Sequence, residues 1–241
     1  MASNSETGHA INLANEKTMY DYLVQLGVVY APSNPQITTA KINANWTAAT
    51  AAHKIVNDSL IDSKKPINDR EILFDPMDKL VTRMVNNFGA SGASDAAVKD
   101  AKGFADDIRG FKVRIKKDKD NNPLPGQVSV SQLSFVNRQD NFSKLVSLLK
   151  KDGHYNPSEP DLKVLVLEAY AANLKTLNDN IGTILAPLTS ARGTRDQLMY
   201  EGPNNLLELA RLVKKYCKGL PPEYAAIVKV INGLRFKKIK P

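Results

Sequence analysis

The residues best placed to do chemistry are cations near the C-terminus: Lys214, Lys215, Lys218, Arg235, Lys237, Lys238 and Lys240. From Arg211 to Pro241, nine basic residues stand against a single acid, Glu223. That excess equals the net charge of the whole chain, +8, so the residues before it sum to zero. A basic cluster of this kind attracts polyanions, and Tyr216 and Phe236 lie close enough in sequence to stack on a nucleic-acid base. No helix-turn-helix spacing or zinc-finger pattern accompanies them. The preferred reading is therefore structural: lysines gather at helix C-termini because the helix dipole favours cations there.

Other chemistries find fewer residues. A di-iron carboxylate site in a helical bundle needs inward glutamates and Glu-x-x-His on two helices. Only Glu6-Thr-Gly-His9 has that spacing, and it lies in a polar N-terminal stretch with no second copy. His53 and His154 stand alone, and His53, inside a long helical pattern, reads as a partly buried polar residue rather than a ligand. Cys217 falls on an apolar helical stripe, where a small buried thiol is expected. No Gly-x-Ser-x-Gly elbow, His-Glu-x-x-His pair, Walker loop or Gly-x-Gly-x-x-Gly is present. Arg192, Arg195 and Asp196 form a charged stretch that could receive a phosphate or carboxylate, although a surface Arg–Asp pair is the preferred reading. The expectation is a protein that is not an enzyme and holds no cofactor or metal.

Composition sets the remaining bounds. The chain has 241 residues, 42% hydrophobic and 24% charged, enough for one or two domains with an ordinary core. A single cysteine excludes an intrachain disulfide and points to a reducing compartment. The first residues lack the basic and apolar regions of a secretory signal. Lys163-Val-Leu-Val-Leu167 is halted by Glu168, well short of the ~18 apolar residues of a membrane span. The expected location is cytoplasmic, without membrane insertion.

The elements that must position these residues are organised by a motif that occurs twice. Tyr30-Ala-Pro32-Ser33-Asn-Pro35 recurs as Tyr155-Asn-Pro157-Ser158-Glu-Pro160, 125 positions later. Before it, Leu13, Met19, Tyr22, Leu23 and Leu26 match Val136, Phe142, Leu145, Val146 and Leu149 at helical spacing. At the motif, Ser33 with Gln36 and Ser158 with Asp161 are the expected N-caps. Long helices follow, with stripes Ile37, Ala40, Ala44, Ala48, Ala51, Ile55 and Leu162, Leu165, Val166, Ala169, Leu177, Ile181. Pairing Pro66 with Pro187 implies a one-turn deletion in the second copy, and a loop with an insertion at Thr189–Gly193 is expected after Pro187.

The third helices carry Met77, Leu80, Val81, Met84, Val85, Phe88 and Leu206, Leu209, Ala210, Val213, Tyr216, Cys217. Asp75-Pro76 and Gly202-Pro203 mark their starts. Val98, Ala101, Ala105, Ile108 and Tyr224, Ile227, Ile231, Leu234 form the fourth stripes. The reading is an all-α protein made by tandem duplication of a four-helix unit. Residues 1–117 form the first repeat, 118–126 a linker and 127–241 the second. Two antiparallel bundles in pseudo-two-fold relation are expected, with a merged eight-helix body left open. Over 112–131 a short hairpin competes with a plain turn, and the turn is preferred.

Within the second half, Tyr155-Asn-Pro-Ser-x-x-Asp-Leu-Lys163, Pro187-Leu-x-x-Ala-Arg192, Val213-Lys-Lys-Tyr216 and Leu234-Arg-Phe-Lys237 resemble a group of uncharacterised bacterial helical-bundle proteins. The resemblance implies a stable helical domain and carries no activity with it. The functional expectation is a non-enzymatic scaffold or protein-interaction module able to self-associate. Its alternative is polyanion or nucleic-acid binding by the basic C-terminal segment.

Overall fold

The computed structural model describes residues 8–110 and 133–239. Their regular structure is entirely helical, with no strand among the described residues. The helices are α1 (His9–Leu26), α2 (Thr39–Phe74), α3 (Met77–Gly89), α4 (Asp95–Arg109), α5 (Phe135–Asp152), α6 (Val164–Asp196), α7 (Leu206–Cys217) and α8 (Ala225–Gly233). Short 3-10 turns at Pro35–Ile37 and Pro160–Leu162 precede the two long helices. The linker expected at 118–126 and the alternative hairpin over 112–131 lie outside the described residues.

Two compact units emerge. One comprises Met1–Ser63 with Leu185–Pro241, and the other Lys64–Ile184. The sequence halves 1–117 and 127–241 are a different division of the chain. The first unit takes α1, α7 and α8, the second α3, α4 and α5, and the long helices α2 and α6 each contribute to both.

In the second unit the core follows the expected stripes closely. Met77, Val81, Met84, Val85 and Phe88 of α3 pack with Ala101, Ala105 and Ile108 of α4 and with Phe142, Leu145, Val146 and Leu149 of α5. Each large side chain buried there contributes roughly 1.5–3 kcal/mol. Ser94 caps α4 by accepting from the Ala97 amide at 3.2 Å, and Ser134 caps α5 by accepting from Asn137 at 3.1 Å. Gly110 and Gly153, at φ of 72° and 81°, end α4 and α5 in the left-handed conformation that glycine adopts without steric cost. Val136 departs from the expected α5 stripe and is 61% exposed.

The first unit has a core of Met19, Leu23 and Leu26 from α1 against Leu209, Ala210, Val213 and Cys217 from α7 and Ile231 from α8. Asn205 caps α7, its side chain accepting from the Glu208 amide at 3.1 Å. The expected start at Gly202-Pro203 is therefore too early. Between α6 and α7 lies a single π-helical turn, Gln197–Glu201, closed by a 2.8 Å bond from the Gly202 amide to the Gln197 carbonyl. A Cβ at position 202 would stand 2.7 Å from that same carbonyl oxygen, so the turn requires glycine.

Several expectations about the long helices fail. Neither Pro66 nor Pro187 ends its helix; both lie inside, and the loop expected at Thr189–Gly193 is part of α6. Each proline removes one hydrogen bond from a helix of more than thirty residues, and the remaining ladder carries the chain through. Of the expected first stripe Ile37 is buried, but Ala40, Ala44, Ala48, Ala51 and Ile55 are exposed, and Ile42, Ala49, Ala52 and Val56 are buried in their place. Alanines occupy both faces of this helix, so small size marks neither. Of the second stripe Leu162 is buried and Leu177 and Ile181 half-buried, whereas Leu165, Val166 and Ala169 are exposed and Leu167 and Leu174 buried, because a run apolar all round gives no period.

The corner caps also differ from expectation. Asn34, not Ser33, accepts from the Gln36 amide at 2.9 Å. In the second copy Ser158 caps nothing, and Asp161 forms an ion pair with Arg83 of α3. Asp75 belongs to the turn after α2, and its amide bonds the Glu71 carbonyl at 3.0 Å.

Candidate functional site

The basic C-terminal segment is held against the first unit by its backbone. Beyond α8, residues 234–239 run extended past α1. The Asn12 side chain donates to the Lys237 carbonyl at 2.7 Å and accepts from the Lys237 amide at 3.1 Å. The Asn15 side chain donates to the Arg235 carbonyl at 2.7 Å. Leu234 and Phe236 turn toward the cores and alternate with exposed Arg235 and Lys237, and Ile239 turns in after a second exposed residue, Lys238.

This arrangement divides the predicted cations. Lys214 is spent internally. Its ammonium donates to the Asn232 and Leu234 carbonyls at the end of α8, and burial followed by the nearby Lys218 charge pushes its pKa down. Lys238 pairs with Glu201 at 3.2 Å. Lys215, Lys218, Arg235 and Lys237 are exposed, and Lys240 lies outside the described residues. The aromatic rings expected to stack on bases are occupied. Phe236 packs against two core clusters, and Tyr216 meets the edge of Tyr30 at 5.1 Å while its hydroxyl accepts from the Ala31 amide.

The structure also assembles polar residues that sequence reasoning treated separately. His9 is not in a polar tail; it opens α1, and its Nδ1 lies 2.8 Å from the Tyr200 hydroxyl. Asn12 donates to the same hydroxyl at 3.1 Å. The Tyr200 oxygen accepts from Asn12 and can either donate to His9 Nδ1 or accept from it, according to the His9 tautomer. The His53 ring centroid is 5.9 Å from that of His9, and the buried Nδ1 of His53 has no hydrogen-bond partner.

Arg195 stands behind this pair, 8% exposed and bonded to Asp196 by Nε at 2.9 Å. The guanidinium is buried and the Asp196 carboxylate half-buried at 28%, so the pair is more sheltered than the surface pair expected. Burial first, and then the Arg195 charge, hold the pKa of both histidines below the ordinary 6.5. Burial likewise raises that of Tyr200. The cluster offers neutral bases and a phenol near neutral pH. No group of three or more metal-ligating side chains exists among the described residues.

One turn along α1, Glu16 is fully buried and neither carboxylate oxygen has a partner. Burial raises its pKa to about 8, so at neutral pH it is mostly protonated. Its position was readable in principle: Leu13, Glu16 and Met19 share one helical face, and a carboxylate on an apolar stripe is a signal in itself.

In the second unit, α3 and the start of α6 border a groove of about 320 Å³. Pro76, Leu80, Val166 and Leu167 supply its apolar lining, and Arg83 with Asp161 its polar one. Arg83 donates bidentately to Asp161 and holds that carboxyl below its ordinary pKa. Leu165, next to Val166, is 79% exposed. No helix of the described residues is long and apolar enough to cross a membrane. No protein-family model, curated protein or solved structure matches this chain.

Proposed function

We propose that the chain is a non-enzymatic, cytoplasmic helical interaction module, a scaffold that associates with an apolar protein segment or with a second copy of itself. The observation that carries this reading is the groove between α3 and α6, lined in part by Val166, itself 46% exposed, with Leu165 next to it in sequence at 79%. Isolated exposed aliphatics are common, but an apolar groove with an exposed aliphatic wall is a surface that association would cover. Light scattering over a range of concentrations tests it. The expected result is a mass above 26.5 kDa that returns to this value when Leu165 and Val166 are both changed to Asp. If the native chain remains a monomer and captures no protein that the double variant loses, the reading falls.

A second reading has its own observation. The contact of Lys214 with the Leu234 carbonyl ties the basic end of α7 to the residue before Arg235, and Lys215, Lys218 and Arg235 are exposed. Polyanion binding there predicts retention on a phosphorylated matrix that drops steeply with salt, with Lys215→Glu and Arg235→Glu flattening the dependence. Unchanged retention in that double variant would remove the reading.

We also read the chain as a tandem duplication, from its repeated corner motif, and its second half as similar to bacterial helical-bundle proteins. Burial supports this. Tyr30 and Tyr155, Ile37 and Leu162, Ile42 and Leu167, Ala49 and Leu174, Ser63 and Leu188, and Phe74 and Met199 are all buried, each pair 125 positions apart. One constant offset through the long helices makes the one-turn deletion unnecessary.

A further inference from the structure

We propose that the two sequence halves are obligate partners that exchange their first helices, so that each compact unit is a complex between them and the connection from Gly110 to Leu133 is not needed to hold it together. Three kinds of contact carry this, and each occurs twice.

The first is the core. In the first unit, α1 buries Met19, Leu23 and Leu26 against α7 and α8, which belong to the other half. In the second, α5 buries Phe142, Leu145, Val146 and Leu149 against α3 and α4, again from the other half. The second contact is the corner. Tyr30 sets its ring edge-on to Tyr216 of α7 at 5.1 Å, and Tyr155 sets its ring edge-on to Phe88 of α3 at 6.3 Å. The third is polar. Asn15 of α1 donates to the Arg235 carbonyl just past α8, and Arg138 of α5 donates to the Ile108 carbonyl at the end of α4, at 2.7 and 3.1 Å.

The continuity of α2 and α6 explains the exchange. A helix of 36 residues carries the chain from α1 to α3, and one of 33 carries it from α5 to α7. Each long helix begins in one unit and ends in the other, so α1 and α3 fall into different units, as do α5 and α7. Each half alone would leave the α1- or α5-type stripe and the facing third- and fourth-helix stripes bare. A partner presenting the same pair of surfaces covers both. The inference is independent of what the assembled protein binds.

Hydrogen exchange on the full chain tests it. Val146→Ala in the second half should speed exchange in α3 and α4 of the first half about tenfold and leave α7 and α8 unchanged, and Leu23→Ala should do the reverse. In parallel, a protease site placed within residues 118–126 of the intact protein should be cut without loss of helicity, the two pieces eluting together at 26.5 kDa. Exchange that rises in the third and fourth helices of the mutated half, or uniformly, overturns the proposal. So does separation of the cut pieces under native conditions.

Discussion

Glu16 is the residue whose physics is most exposed to test. A carboxyl raised from 4.5 to about 8 on folding means the folded chain keeps a proton that the unfolded chain releases between these values. Stability is then fully present below pH 4.5 and declines as pH rises toward 8. His9 and His53 act in the opposite sense. Their folded pKa values are depressed, so the unfolded chain takes up protons first, and stability is lost as pH falls below 6.5. Glu16→Gln keeps the shape and removes the ionisation. We expect the variant to be more stable than the native chain by roughly 2–3 kcal/mol at pH 7 and equal to it near pH 4. Urea titrations across that range measure it, and a variant weaker at pH 7 would show that Glu16 has an ionised role. The cluster's own members were poorly legible in sequence. His9, His53 and Arg195 are separated by tens to more than a hundred positions, and only the fold brings them together. Asn12 and Glu16 are the legible members, polar residues standing on an otherwise apolar helical face.

At the scale of elements, legibility followed the strength of the pattern. The α3 and α7 stripes combine large side chains with charged opposite faces, and every residue named for them is buried or half-buried. The long helices lacked that contrast, and proline was read as punctuation where it is only an interruption. The π-helical turn at Gln197–Glu201 had no sequence signal beyond Gly202. Its dependence on that glycine gives a direct prediction: Gly202→Ala forces a methyl onto the Gln197 carbonyl and should cost about 1–3 kcal/mol. Since the turn places Tyr200 beside His9, the same variant should perturb the titration of His9 seen by NMR. A Gly202→Ala protein of native stability would mean that the turn relaxes to an ordinary α-helical one. Asn205→Ala, removing the cap of α7, should cost about 1 kcal/mol by the same urea measurement.

For the whole molecule, the all-α class was legible and the grouping of helices was not, because periodicity reports which face is buried and never against what. The C-terminal segment illustrates the gap. Its alternating Leu234, Arg235, Phe236 and Lys237 was read as charge, yet Phe236 joins two core clusters and Asn12 binds the backbone on either side of Lys237. The single tryptophan, Trp46, lies in the same unit and reports on it alone. Phe236→Ala should lower the urea midpoint seen by Trp46 fluorescence, by the equivalent of about 1–3 kcal/mol. Hydrogen exchange in α3 to α5 should stay as it was. A midpoint unmoved by the substitution would mean that the segment is dispensable to the unit's core.

Cys217 gives that unit a second reporter of another kind. It is the chain's only thiol, wholly shielded on α7, and burial raises its pKa to about 11. A neutral, enclosed sulfur reacts with an alkylating reagent only in the moments when α7 lifts away from α1. The modification rate at high reagent concentration is therefore a stopwatch for that opening, built into the native sequence and read by mass without any label.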